Sequence, residues 1–459
     1  MQDLTQGPIG GHLARMAVPI AIGMVFQTLY YLVDLYFVGQ LGDAAIAGLG
    51  TAGNLQFLVM ALTQVLGVGT GALIAHASGR KDRADANLVF NQSLGLAFLC
   101  GGLTLVGGYT LAGAYMRLVG ADAETMAAGT TYLMWFLPGL GLQFALISMG
   151  AALRGTGIVK PTILVQVITV VLNAILSPIM IAGWLTGRPM GVAGAGLSTS
   201  ISVAVGVILM GAYFVRLERF VVFDAALVRP RWAPWKRILA VGLPPGGEFA
   251  LMFVYMGAIY WTIRGFGPEA QAGFGIGSRV MQAIFLPAMA IAFATAPVAG
   301  QNVGAGKPDR VRETFRTAAT VLSGIMIVLT ILCQVRPEVL IAPFSDDPGV
   351  VAVGAQFLRY ISLNFVASGM VFTCSGMFQA LGNTVPSLVA SATRIVTFVL
   401  PAVWLSGQSW FRLPHLWTVS VITVALQAVA AWTMLAMEMK AKLPHAIQAE
   451  PVPVTGDGV

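Results

Sequence analysis

Asp34 stands in FQTLYYLVDLYFVGQLG (residues 26–42), a run otherwise apolar enough for the interior of a lipid-spanning helix. Gln27, Tyr30 and Asp34 recur at i, i+3 and i+7, so a helix places all three on one face. There an amide and a hydroxyl can hydrogen-bond a carboxyl in either protonation state. Five residues, about 7.5 Å of helix, separate Asp34 from Gly39 and put it in the outer half of its span. An ionised carboxylate at membrane depth costs about 2.5–3.5 kcal/mol even on a forgiving insertion scale, and such residues mark ion or proton pathways. Low dielectric favours the neutral acid, whereas a nearby cation favours the charged form. A proton and a cationic ligand therefore compete for one group, which is thermodynamic coupling between them. The competing expectation is an acid that pairs with a neighbouring helix and only holds the fold.

A second polar face occurs in PTILVQVITVVLNAILSPIMIAG (161–183), where Gln166, Thr169, Asn173 and Ser177 fall at i, i+3, i+7 and i+11. Such a face either lines a cavity or bonds helix to helix. The second half of the chain offers Glu248 in GLPPGGEFALMF, Arg279, and Arg394 in SATRIVTFVLPAVW. Glu248 is either a second titratable group or the partner of Arg394 or Arg279 in an ion pair. Cys100, Cys333 and Cys374 are scattered within apolar runs and suggest neither a disulfide framework nor a metal site. His12, His76, His415 and His445 are far apart, and there is no GxxxxGK[ST] loop or HExxH pair. No metal, cofactor or enzymatic activity is expected.

The elements that must position these residues follow from composition. Only 10% of the 459 residues are charged and 57% are hydrophobic, with mean hydropathy +0.81, where a soluble domain carries about 25% charged residues. Apolar stretches of twenty residues and more, with Gly and Pro inside them, read as helices rather than barrel strands. Twelve spans are expected, beginning near residues 16, 44, 91, 126, 161, 191, 238, 271, 315, 350, 386 and 414. With the N-terminus inside, inward segments carry eighteen Lys and Arg residues and outward segments six. That bias sets both termini in the cytoplasm and makes the net charge of +7 a matter of topology rather than of nucleic-acid binding. The N-terminus lacks the pattern of a cleaved signal peptide.

A single constant offset lays Pro19 on Pro244, Gly42 on Gly267, Gly79 on Gly304, Gly157 on Gly382 and Pro161 on Pro386. One offset across the whole half predicts a duplication: two parallel six-helix lobes related by an axis along the membrane normal. The expected boundaries are an N-lobe over 1–216, a connection over 217–237, a C-lobe over 238–440 and a disordered tail over 441–459. Under the same offset Asp34 falls on Ile259 and Asn54 on Arg279, so the lobes differ in charge. Duplicated lobes without an ATPase are the design of secondary transporters that rock about a central site.

Four stretches carry a family resemblance: VDLYFVGQLGDAAIAGLG (33–50), LIAHASGRKDRADA (73–86), ALRGTGIVKPTI (152–163) and FATAPVAGQNVGAGKPDRVRE (293–313). With them the chain resembles the multidrug and toxic compound extrusion (MATE) family over essentially its whole length. The resemblance implies an all-α membrane protein of six plus six helices. Its activity would be efflux antiport of amphipathic, mostly cationic compounds against protons, or alternatively sodium, in the cell inner membrane. It implies that Asn173 lies close to the helix 1 acid and that helix 1 bends at Pro19 on protonation. The chain looks closer to the DinF-like than to the NorM-like branch. DinF-like members often carry a second acid where Ser177 precedes Pro178; NorM-like members place a glutamate where Met252 stands, one turn beyond Glu248, and an acid where Ser368 stands. The rival expectation is a lipid-linked oligosaccharide flippase of the same superfamily. A monomer is expected, with small molecules and lipid as its partners.

Overall fold

With no water in a bilayer to satisfy backbone groups, apolar stretches of this length have to form helices. The computed structural model describes residues 1–119 and 122–443, apart from the side chains of residues 30, 31, 33, 34, 35 and 43. The expected tail beyond 443 and the side chains of Asp34 and Tyr30 thus lie outside the described residues. Twelve long elements follow in order. The first six are α1 (Ile9–Gly39), α2 (Asp43–Arg80), α3 (Arg83–Val119), α4 (Ala123–Gly155), α5 (Lys160–Ile181) and α6 (Val192–Arg216). The second six are α7 (Trp232–Ile263), α8 (Pro268–Gly304), α9 (Pro308–Val335), α10 (Pro348–Ser362 with Phe365–Ala380), α11 (Val385–Ser406) and α12 (Leu413–Lys442). Eleven are single helices long and apolar enough to cross a membrane, and the two parts of α10, bent by 58°, make the twelfth. Among the described residues there is no strand.

Helix starts are written locally. Pro161, Pro268, Pro308, Pro348, Pro386 and Pro414 occupy the first or second helical position, where a missing N–H costs nothing. Asp122 accepts from the Thr125 N–H at 2.8 Å and caps α4. Several helices begin earlier than expected, α3 at Arg83 rather than near 91 and α9 at Pro308 rather than near 315. Their polar first turns project beyond the bilayer: at 37 residues α3 is about 55 Å long, against a core of about 30 Å. Likewise α7 begins at Trp232, within the stretch expected to be connection.

The two halves repeat in three dimensions. Gly42 and Gly267 precede α2 and α8 at φ 106° and 90°, Lys81 and Gly306 follow them at 60° and 66°, and Gly157 and Gly382 turn the chain into α5 and α11 at 81° and 68°. Each pair is related by the offset seen in the sequence. Helices 1 to 6 and 7 to 12 thus form two lobes. The segment between them is zipped to α3: Asn87 and Asn91 each exchange two hydrogen bonds with the backbone of 220–224. Gln92 holds Leu227 O, Arg229 O and Arg231 N–H.

Candidate functional site: two lobe pockets above a closed face

In the N-lobe, α1 and α5 run in the same direction, and Gly23 of α1 faces Gln166 of α5 so closely that a Cβ there would meet Gln166 Oε1 at 2.7 Å. Counting the same rise along both helices sets residue 30 level with Asn173 and residue 34 level with Ser177. Asn173 and Ser177 are fully buried. Asn173 Nδ2 donates to Ser198 Oγ at 3.5 Å and Thr199 Oγ1 at 3.4 Å on α6, and Ser177 lies 3.3 Å from Ser198 Oγ. These are long, adjustable bonds among hydroxyls and an amide. Thr169 departs from the expected line: its hydroxyl donates to Gln166 O at 2.8 Å, while its methyl lies against Gly206 of α6. Gln27 is exposed. Ser198 and Thr199 went unread in the sequence; their signal is the run STSIS (198–202) in an apolar helix.

The C-lobe builds its polar cluster differently, among α7, α11 and α12. The polar neighbours of Glu248 are the hydroxyls of Ser387 and Ser391, and Gln427 donates to Ser391 Oγ at 3.3 Å. Higher along α7, Tyr255 bonds Ser420 at 2.9 Å and carries the Arg394 guanidinium 3.9 Å above its ring. The ion-pair expectation is not met: among the described residues neither Arg394 nor Arg279 comes within 4.0 Å of a carboxylate, and Glu248 Oε1 and Arg394 Nε are buried without a partner. Arg279 is exposed on α8. Pro19 and Pro244 lie within α1 and α7 at equivalent places, each removing one backbone hydrogen bond.

Below these pockets the lobes are fastened at the face where α1 and α7 begin, here called the proximal face. His76 Nε2 of α2 bonds Ala380 O across the lobes at 2.6 Å, and its repeat counterpart Gln301 of α8 donates to Gly155 O at 3.0 Å. Gly79 meets the Gln301 backbone, and Gly304 meets the His76 backbone, where any Cβ would collide. The acceptors Gly155 and Ala380 are repeat counterparts as well, so this is one contact made twice by a pseudo-two-fold axis. Residues 2–7 strap it down. Leu4 is wholly buried, its N–H donates to Gln301 Oε1 at 3.0 Å, and Asn302, Lys307 and Arg310 hold the carbonyls of Leu4, Thr5 and Gly7. Arg237 of α7 adds an ion pair to Asp85 of α3 at 2.9 Å. Toward the other, distal face the pairing loosens. Phe57 and Phe253 still touch with centroids 5.5 Å apart, but beyond them a Cβ on Gly50, Gly53 or Gly257 would meet nothing within 4 Å.

The sequence model of the MatE family matches residues 19–179 and again 244–405, two copies that start on the equivalent prolines Pro19 and Pro244. The chain belongs to the MatE family. It is a multi-pass membrane transporter built on the MATE fold, not an enzyme. It is 27% identical over 394 residues to the probable multidrug resistance protein YpnP of Bacillus subtilis, covering 84% of this chain and 86% of that protein. With the multidrug export protein MepA of Staphylococcus saprophyticus it shares 26% over 407 residues, 87% and 89% of the two. A solved outward-facing conformation of a multidrug resistance MATE family transporter of the MOP superfamily superposes with TM-score 0.88 at 25% identity, covering 96% and 98% of the two chains. The oligosaccharide-flippase expectation finds no support in these relatives.

Proposed function

We propose that this MATE transporter is a proton-coupled multidrug efflux antiporter of the cytoplasmic membrane, with Asp34 alternately holding a proton and a cationic, amphipathic compound. The observation that carries this reading is the buried wall of Asn173, Ser177, Ser198 and Thr199, level with residue 34 of α1. An acid in an outer half-span, faced by donors and acceptors that adapt to either charge state, suits exchange better than static pairing. Relatives named multidrug resistance and multidrug export proteins support efflux. The eighteen-to-six bias of basic residues supports a cytoplasmic proximal face, which would put the fastened side of the lobes inward. Ser177 stands where DinF-like members often carry a second acid, which leaves Asp34 as the sole strong proton carrier of the N-lobe. Glu248 is a second titratable group in the C-lobe, deeper than Asp34. Pro19 lets α1 bend as residue 34 changes charge.

Proteoliposomes test the reading. Drug added to vesicles with an imposed pH gradient collapses the gradient in the wild type and leaves it standing in Asp34→Asn. Normal exchange by Asp34→Asn would refute the assigned role, and collapse driven by a sodium gradient instead would make sodium the coupling ion.

A further inference from the structure

Of the 26 Lys and Arg residues, only Arg279 and Arg394 lie deep within spans rather than at helix ends or in connections. An arginine inside a membrane domain is costly and is kept where it pairs or acts. Arg394 does not pair. Among the described residues no acceptor bonds any of its nitrogens, and Nε is buried without a partner. It is nevertheless held in place. Its guanidinium lies 3.9 Å over Tyr255, whose hydroxyl is tied to Ser420 at 2.9 Å and whose ring rests on Phe398 at 4.6 Å between centroids. Immediately after Arg394 the helix widens into a π turn over Ile395–Val399, a distortion frequent at functional sites. A stacked guanidinium keeps its in-plane N–H fork free, and that fork matches the two oxygens of a carboxylate.

The nearest acid on the facing helix, Glu248, lies seven residues below Tyr255, about 10 Å along α7, among Ser387 and Ser391. The repeat shows that this arrangement is not demanded by the fold, because Thr169 stands at the position of Arg394 in the N-lobe and bonds its own helix. Conversely Ile259, buried in the C-lobe core, stands at the position of Asp34. The acid thus belongs to one lobe and the unpaired arginine to the other.

We propose that Arg394, held over the Tyr255 ring, anchors an oxyanion of the transported compound, so that the C-lobe selects amphiphiles bearing a carboxylate. Combined with the antiport reading above, on which the cationic half of this assignment rests, the preferred substrate is a zwitterion, its cationic centre near Asp34 and its carboxylate at Arg394. The partner is defined by its chemistry: a planar two-oxygen anion on an aromatic body.

A rhodamine dye with a free carboxyl and the ethyl ester of the same dye provide the test, by fluorescence anisotropy with purified protein in neutral-lipid nanodiscs. The free acid binds the wild type roughly tenfold or more tightly than the ester, the scale of a charge-assisted hydrogen bond. Arg394→Gln brings the two within about twofold by weakening the acid, Arg394→Lys keeps an intermediate preference, and Tyr255→Leu lowers it with the charge intact. A gel-filtration profile and melting temperature like those of the wild type show that each variant is folded. Equal binding of acid and ester to the wild type, or a preference that survives Arg394→Gln, overturns the proposal. So does a preference abolished in phosphatidylglycerol nanodiscs, which assigns the guanidinium to a lipid phosphate. Failure of ester efflux to collapse a pH gradient would instead strike the antiport reading, leaving the acid-to-ester ratio to judge Arg394.

Discussion

Gly23 and Glu248 occupy the same place in the two repeats, as do Gln166 and Ser391, and the exchange is informative. In the N-lobe the long side chain comes from α5 and fills space left by a glycine on α1; in the C-lobe it comes from α7 and meets a serine on α11. The same slot holds a neutral amide on one side and a carboxyl on the other. Shape is thus conserved between repeats while charge is not. The polar line on α5 was legible in the sequence at helical spacing, but its partners were not, because Ser198 and Thr199 face it only after α6 folds back. Whether that line is glue or lining is decided by Asn173→Leu. Its bonds of 3.4 and 3.5 Å are long, so their loss costs about 1 kcal/mol or less and moves the melting temperature little. Drug-proton exchange in liposomes should nevertheless fall at least tenfold. A large drop in melting temperature with exchange retained would identify the line as structural.

Among the elements, the connection between lobes departs most from its reading as a linker. Its basic residues signal topology, but nothing in VRLERFVVFDAALVRPRWAPWKR announces an extended segment docked on α3. The information lies far upstream, in NLVFNQ, where Asn87, Asn91 and Gln92 present amides that imitate a backbone edge. These amides give the part-buried backbone of the connection its partners and tie it to the N-lobe. Asn91→Ala strips the Val222 carbonyl and the Asp224 N–H of their partners at once. Both groups are only part-buried, so each lost bond costs about 0.5–1.5 kcal/mol. Trypsin should then cut after Arg219 and Arg231 at least tenfold faster than in the wild type, with exchange slowed because the connection has loosened. Unchanged cleavage would mean that Asn87, Gln92 and the Trp235 Nε1 bond to Gln92 O at 3.1 Å hold the segment without Asn91. A second expectation belongs to α1: Pro19→Ala restores a backbone bond and stiffens the helix, slowing exchange while raising the melting temperature.

For the whole molecule, the duplication was readable from glycines and prolines at one offset, since those residues record turns and close approaches that any copy must repeat. The proximal closure was not readable. Nothing in the spacing of His76 or of residues 2–7 marks them as contacts between the lobes. Only the fold brings His76 to Ala380 and Gln301 to Gly155, and only then does Leu4 have an interface to fill. Alternating access requires this whole set to break together. The two symmetric hydrogen bonds contribute about 1 kcal/mol each, and the strap and the Asp85–Arg237 pair add to them. These contacts stabilise the closed face by a few kcal/mol, the scale on which a modest local change shifts a population. Gly304→Val places branched carbons where the His76 backbone now lies and acts on the contact without touching either pocket. Spin labels on the proximal ends of α3 and α9 should report a longer distance in Gly304→Val than in the wild type, and Leu4→Asp should shift it the same way. The two changes combined should exceed either alone, since both act on one closure. A distance distribution unchanged by both would mean that the proximal contact follows lobe rotation rather than restraining it.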